Sequence, residues 1–169
     1  MKSKIKHYIK EIIFFFVLMT ILANAISIYK SRDLSQAPLT VQSFTLIDDK
    51  KYKVPNDKPV LIHFGATWCP TCKLEASNIN FLSKHFEVVT IAVKSGSDNA
   101  LKKYLYEHNY TFKVVNDKNS ILSSQFHIAG FPTTFIYDKN KKLLFSDVGY
   151  TTTLSLYIKM WWASFASEE

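Results

Sequence analysis

Cys69 and Cys72 are the only cysteines of the 169 residues, and they lie three positions apart in ATWCPTCK, residues 66–73. Two thiols at this spacing have three uses: a redox couple, part of a metal site, or a structural cross-link. Structural zinc needs four ligands, usually a second CxxC or a paired His motif. No third cysteine exists, and His63, His85, His108 and His127 show no close paired spacing. Copper(I) held by two thiolates alone stays open. A cross-link closing a two-residue loop adds little stability. A dithiol–disulfide couple accounts best for the pair. Peroxidase chemistry of the Pro-x-x-x-Thr-x-x-Cys kind lacks its pattern here.

The elements around the motif must place those sulfurs. PVLIHFGAT, residues 59–67, is an apolar run too short for a helix and reads as a buried central strand. The spacing then predicts a helix over about 69–84, with Cys72, Ala76, Ile79, Leu82 and Phe86 as its buried stripe. Cysteines at i and i+3 of the first turn face the same way, within disulfide reach. Cys69 falls at the N-cap, where free N–H groups and the positive end of the dipole favour a thiolate. Pro70 suits the first helical position. The N–H groups of Thr71 and Cys72, and the Thr71 hydroxyl, are left for the Cys69 sulfur. Cys69 should therefore be the exposed nucleophile and Cys72 the protected, resolving thiol. Glu75, three residues after Cys72 and beside the stripe, is placed to move protons to and from it. Its plainer reading is a solvated glutamate.

Downstream, EVVTIAV reads as a second buried strand and SDNALKKYLYEHN as a helix capped by Ser97 or Asp98. FKVVND is a short strand and SILSSQF a short helix. A hairpin turns at residues 138–141, and TTTLSLYIKMWWASFA closes the chain as a threonine-capped helix with Trp161 and Trp162 as core and interface residues. Upstream, SFTLIDDKKYKV reads as a hairpin. The expectation is an α/β domain over residues 43–166, large enough to be stable alone.

The net charge of +7 is concentrated at one end. Residues 1–33 carry six Lys/Arg and two Asp/Glu, a net of +4; the remainder carries 15 and 12, a net of +3. No basic stripe with interleaved aromatics follows, so nucleic acid is not an expected partner. Ile12 to Tyr29 is 18 positions without a charge, preceded by Lys2, Lys4, Lys6 and Lys10. About 20 apolar residues span a bilayer, with a lower limit of roughly 17. The expectation is a cytoplasmic leader (1–11), a transmembrane anchor (12–29), a tether (30–42) and the domain on the extracytoplasmic side. The rival is a signal peptide cleaved after Ala23-Asn24-Ala25. Apolar residues continuing past that site favour the anchor, and both readings export the domain.

FGATWCPTC together with GFPTTFIYD resembles the thioredoxin superfamily. The chain is most similar to membrane-tethered thiol:disulfide oxidoreductases of the TlpA/ResA/CcmG kind, over about Phe44 to Ala166. AVKSGSDNALKKYL, VVNDKNSILSSQF and GYTTTLSLYIKMWWA look most like the ScsD (suppressor of copper sensitivity) branch. The resemblance implies a thioredoxin fold, a central mixed sheet flanked by helices with an N-terminal hairpin. It implies that Pro132 is the cis-proline beside the cysteines and that the Phe131 backbone pairs with substrate. Trp68, Pro70 and Thr71 would complete the substrate-binding surface. It implies exported cysteine-containing proteins as substrates, a membrane electron donor or acceptor, a periplasmic location and a lean toward reduction. No cofactor beyond the thiol pair is required. Glu75 matches an acidic position common in such helices. The chain departs from the pattern at His63, where thioredoxin keeps a buried Asp, and at Ala76-Ser77, where a kinking proline is usual.

Overall fold

The computed structural model describes residues 8–15, 17–19, 22, 34 and 37–166. The domain runs β1 (Ser43–Thr45), β2 (Lys51–Lys53), β3 (Val60–Gly65), α1 (Pro70–Leu82), β4 (Glu87–Val93) and α2 (Asp98–Glu107). It continues with β5 (Lys113–Asp117), α3 (Ile121–Gln125), β6 (Thr133–Tyr137), β7 (Leu143–Val148) and α4 (Thr153–Phe165). β1 and β2 form the expected antiparallel hairpin. The other five strands form one mixed sheet in the order β5-β4-β3-β6-β7. β3, β4 and β5 are parallel, and β6 and β7 are antiparallel to their neighbours.

β3 is buried along its whole length, as its unbroken apolar run requires. Successive side chains of a strand point to opposite faces, and the core divides accordingly. Ile62 and Phe64 join one cluster with Phe126, Phe135 and Tyr137. Leu61 joins the other, with Ile79 and Leu82 of α1 and Leu156 and Met160 of α4. His63 points to that second side, beneath α1. The helices start as their caps dictate, with Ser97 Oγ accepting from Ala100 N–H and Thr152 Oγ1 from Ser155 N–H.

Three expectations change. Leu34 and Leu39 lie within the stretch read as tether, yet both are buried in the first cluster with Phe44, so packing begins upstream of the hairpin. Two leucines in a polar stretch carry no periodicity, so only their burial shows it. Trp161 and Trp162 are not core residues. The α4 positions that point inward are Leu156, Met160 and Ala163, and the two tryptophans fall on the outer side of the turn. Phe86 is only half-buried where the stripe was extended to it.

The expected span 12–29 lies largely outside the described residues. Its described members, 12–15, 17–19 and 22, are helical and exposed. Among the described residues no helix is long and apolar enough to cross a membrane.

Candidate active site

Cys69 and Cys72 sit at the end of β3 and the start of α1 and are joined as a disulfide, with Cα atoms 5.3 Å apart. Cys69 is the N-cap of α1 with extended backbone, and its Sγ accepts the Cys72 N–H at 3.2 Å. A sulfur held there feels the positive end of the helix and one free backbone donor, the conditions that stabilise a thiolate. Pro70 occupies the first helical position as expected and is exposed; Thr71 is half-buried.

The loop that carries Cys69 is pinned from two sides. Thr67 N–H donates to Ser95 Oγ at 3.0 Å, and the Trp68 indole N–H donates to the Lys94 carbonyl at 3.2 Å. Both anchors belong to the turn after β4, 26 to 28 residues away. Local spacing carries no signal of them.

The expected exposure of Cys69 is not found. It is 6% exposed and Cys72 5%, so in the disulfide form burial does not distinguish them. The reason is the opposing loop: Phe131 packs against Ala66, Cys69 and Cys72, and the Trp68 ring meets Phe131 edge-on at 5.7 Å. Trp68 is itself largely exposed, so an apolar lid covers the sulfurs while facing solvent. The Phe131–Pro132 peptide is cis. The Pro132 carbonyl accepts Gly149 N–H at 2.8 Å, and Thr133 Oγ1 donates to the Gly130 carbonyl at 2.8 Å, which fix the loop on β7 and on itself.

Glu75 is fully buried, not solvated. Its Oε1 accepts the Thr151 N–H at 3.2 Å, and its Oε2 is buried with no hydrogen-bond partner. Burial pushes its carboxyl up to about 8; the Thr151 bond opposes this, and the nearby Asp147 charge adds to it. Asn78, one turn on, donates to the Thr151 carbonyl at 3.0 Å and the Tyr150 hydroxyl at 3.3 Å. α1 is thus clasped by the loop between β7 and α4. Thr151, Asn78 and Asp147 were not singled out by the sequence, because they join Glu75 only through long-range packing.

His63 is buried, with Nδ1 3.0 Å from Thr134 Oγ1 on the neighbouring strand. Burial lowers its pKa to about 4, so the ring is neutral at physiological pH. It lines, with Gly65, Cys72, Ala76 and Thr90, a cavity of about 50 Å³ beneath α1. Among the described residues no group of three or more His, Cys, Asp or Glu side chains gathers as a metal site.

The AhpC/TSA family matches residues 34–146, from the first buried leucine into β7. The chain belongs to this family. Ile62 and Ala66 stand where the Pro and Thr of a peroxidase pattern would precede Cys69, so the chain lacks that pattern. It is similar to a thioredoxin-like protein of Haemophilus influenzae, 32% identical over 110 residues that make up 64% of this chain and 65% of that one. It is also similar to the thiol-disulfide oxidoreductase ResA of Bacillus thuringiensis, 23% identical over 166 residues, 88% of this chain and 95% of that one. The chain therefore spans just under two thirds of the first relative and nearly all of the second. Among solved structures, a secreted Mycobacterium tuberculosis disulfide oxidoreductase superposes with a TM-score of 0.60 at 17% identity, over 70% of this chain and 92% of that one. At that identity the likeness shows the thioredoxin fold alone.

Proposed function

We propose that the protein is a thiol:disulfide oxidoreductase that reduces disulfides in exported proteins. One observation carries the reading: Cys69 Sγ caps α1 and takes the Cys72 N–H, while Cys72 lies within disulfide reach and the Phe131–Pro132 loop lies over both. In the reducing direction the Cys69 thiolate attacks one sulfur of a substrate disulfide. A mixed disulfide forms and the other substrate sulfur leaves as thiolate. Cys72 then loses its proton and attacks Cys69 Sγ, expelling the second substrate thiolate. Two electrons pass to the substrate, and the protein is left as the disulfide. A membrane dithiol donor would reduce it again.

Glu75 suits the proton step. Burial raises its carboxyl to about 8, so it keeps a proton at neutral pH one turn from Cys72, a place from which a proton could pass to or from that thiol. Trp68, Pro70, Thr71, Phe131 and Pro132 would form the peptide-binding surface around the sulfurs. Export is supported by the four-lysine leader and uncharged run in this chain. The anchor reading expects full-length protein that resists carbonate washing. A soluble product beginning at Ile26 would make residues 1–25 a signal peptide. The likeness to the suppressor-of-copper-sensitivity branch rests on the segments around α2, α3 and α4.

The test is trapping. Cys72→Ala should form mixed disulfides through Cys69 that are not resolved, and Cys69→Ala almost none. If Cys72→Ala traps nothing while both variants lose copper(I) binding, the two sulfurs serve as a copper site instead.

A further inference from the structure

The outer side of α4 is apolar along its whole length. Leu154, Tyr157, Ile158, Trp161, Trp162 and Phe165 recur at steps of three or four, and each is between 37% and 69% exposed. The only other residues on that side are Ser155 and Ser164, so it carries no charge. Lys159, the one cation of the helix, is turned to its flank and bound to Asp147 at 2.6 Å. The inner side buries Leu156, Met160 and Ala163. A helix apolar on two opposite sides is one with both sides covered. The patch also runs on to Phe81 of α1 and to His85 in the turn after it, whose rings lie 6.5 and 6.2 Å from the Tyr157 ring.

We propose that this face pairs with the same face of a second copy of the chain. Area is the first argument. An aromatic side chain offers about 150–250 Å², and at the observed exposures the six α4 residues and Phe81 present on the order of 700 Å². A standard interface takes about 800 Å² from each partner. Isolated monomers rarely leave an apolar patch of that size open to water. Composition is the second argument. Aromatic and aliphatic residues without charge match the centre of a homodimer interface. A charged partner would find no counter-charge on α4, whereas a twofold pairing needs none. With the two α4 helices antiparallel about the twofold axis, Trp161 and Trp162 of each copy lie against the Leu154–Ile158 end of the other.

Position in the fold argues against a lipid surface. Leu34 is buried on the opposite side of the sheet, in the cluster of Ile62 and Phe64. Only residues 30–33 separate it from the uncharged run, a reach of about 14 Å. If that run is in a bilayer, the side of the domain nearest the bilayer is the one away from α4. Thr151, just before α4, meets Glu75 and Asn78 in α1, so Cys69 lies toward the Thr153 end of α4 rather than its Phe165 end, and antiparallel pairing leaves one active site open at each end of the dimer.

Sedimentation of the full chain in a mild detergent decides the question. The expected protein mass is that of two 19.5 kDa chains at micromolar concentration. Ile158→Lys and Trp161→Lys, both at exposed positions, should each weaken association at least a hundredfold while leaving helical circular dichroism unchanged. A single copy at every concentration, or a dimer that neither substitution weakens, overturns the proposal. So does quenching of tryptophan emission by acyl-brominated phosphatidylcholine vesicles that disappears in Trp161→Phe/Trp162→Phe, since that result assigns the face to lipid.

Discussion

The peptide N–H of Thr151 donates to Glu75 Oε1 at 3.2 Å, 76 residues away in the chain, while Oε2 is buried without a partner. A carboxylate so placed is poorly solvated, and the neutral acid is the favoured form. The loop leading into α4 therefore helps set the proton affinity of a group one turn from Cys72. Whatever disturbs that loop reaches the active site through Glu75.

The oxidised protein should show an unusual dependence of stability on pH. Glu75 is raised from its ordinary 4.5 to about 8, so the folded state keeps its proton longer than the unfolded chain. Its contribution is full below 4.5 and is lost as pH rises through 8. His63 is lowered from 6.5 to about 4, so its contribution is full above 6.5 and is lost as pH falls through 4. Each slope approaches about 1.4 kcal/mol per pH unit. Between 4.5 and 6.5 the two oppose and stability should be nearly flat. From 6.5 to 8 only Glu75 acts, and urea unfolding should show a loss of about 2 kcal/mol. Glu75→Gln should abolish that loss and expose the rise due to His63 between 4.5 and 6.5. A stability that climbs from pH 6.5 to 8 in the wild type would mean that Glu75 is ionised in the fold.

The Asp147–Lys159 pair should tune Glu75 from outside. Lys159 Nζ meets both Asp147 oxygens at 2.6 Å, and the Asp147 charge raises Glu75. Asp147→Asn removes the like charge and should lower the Glu75 midpoint. Lys159→Met leaves Asp147 unneutralised and should raise it. Carboxyl titration by infrared spectroscopy of the oxidised variants gives both directions. Shifts of the same sign would show that repacking of α4, not charge, governs the carboxyl.

Phe131 should act as a shield over the disulfide. Phe131 packs against the cluster of Ala66, Cys69 and Cys72, and its ring is buttressed edge-on by Trp68. Phe131→Ala should speed reduction of the Cys69–Cys72 bond by a small thiol severalfold, because access opens. Reduction of a protein disulfide such as insulin should slow, since the surface that aligns the peptide is lost. Equal acceleration of both would reduce Phe131 to a steric cover.

The local geometry around the two cysteines and the order of elements were legible in the sequence because they are local. Pro70 behind an N-cap cysteine, the step of three between thiols, and the unbroken run into Gly65 are read within ten residues. EVVTIAV coincides with β4, residue for residue. What was not legible depends on elements distant in the chain. The cover over Cys69 comes from Phe131, and the burial of Glu75 comes from the loop holding Thr151. A glutamate beside an apolar stripe looks the same in sequence whether that loop covers it or water does. The outward turn of Trp161 and Trp162 was missed for a related reason. α4 is apolar on both sides, so periodicity cannot say which side meets the sheet.

Gly65 should be intolerant of a side chain, and His63 should be the cause. A Cβ built on Gly65 would lie 3.2 Å from His63 Nε2 and 3.7 Å from Cys72 Cβ. The first distance is too short for ordinary contact. The ring is also held from its other side by Thr134 Oγ1 at 3.0 Å, so it does not swing away freely. Overpacking in a well-ordered core costs about 1–3 kcal/mol, and Gly65→Ala should lose that much in urea unfolding. His63→Ser removes the ring and should itself be destabilising, through the cavity left behind and the unpaired Thr134 hydroxyl. In the double variant the alanine methyl has room. The combined loss should then fall short of the sum of the single losses by about 1 kcal/mol or more, the coupling expected of residues in direct contact. Additive losses would place the strain at Cys72 instead, and Gly65→Ala would then alter the rate of disulfide formation as well as stability.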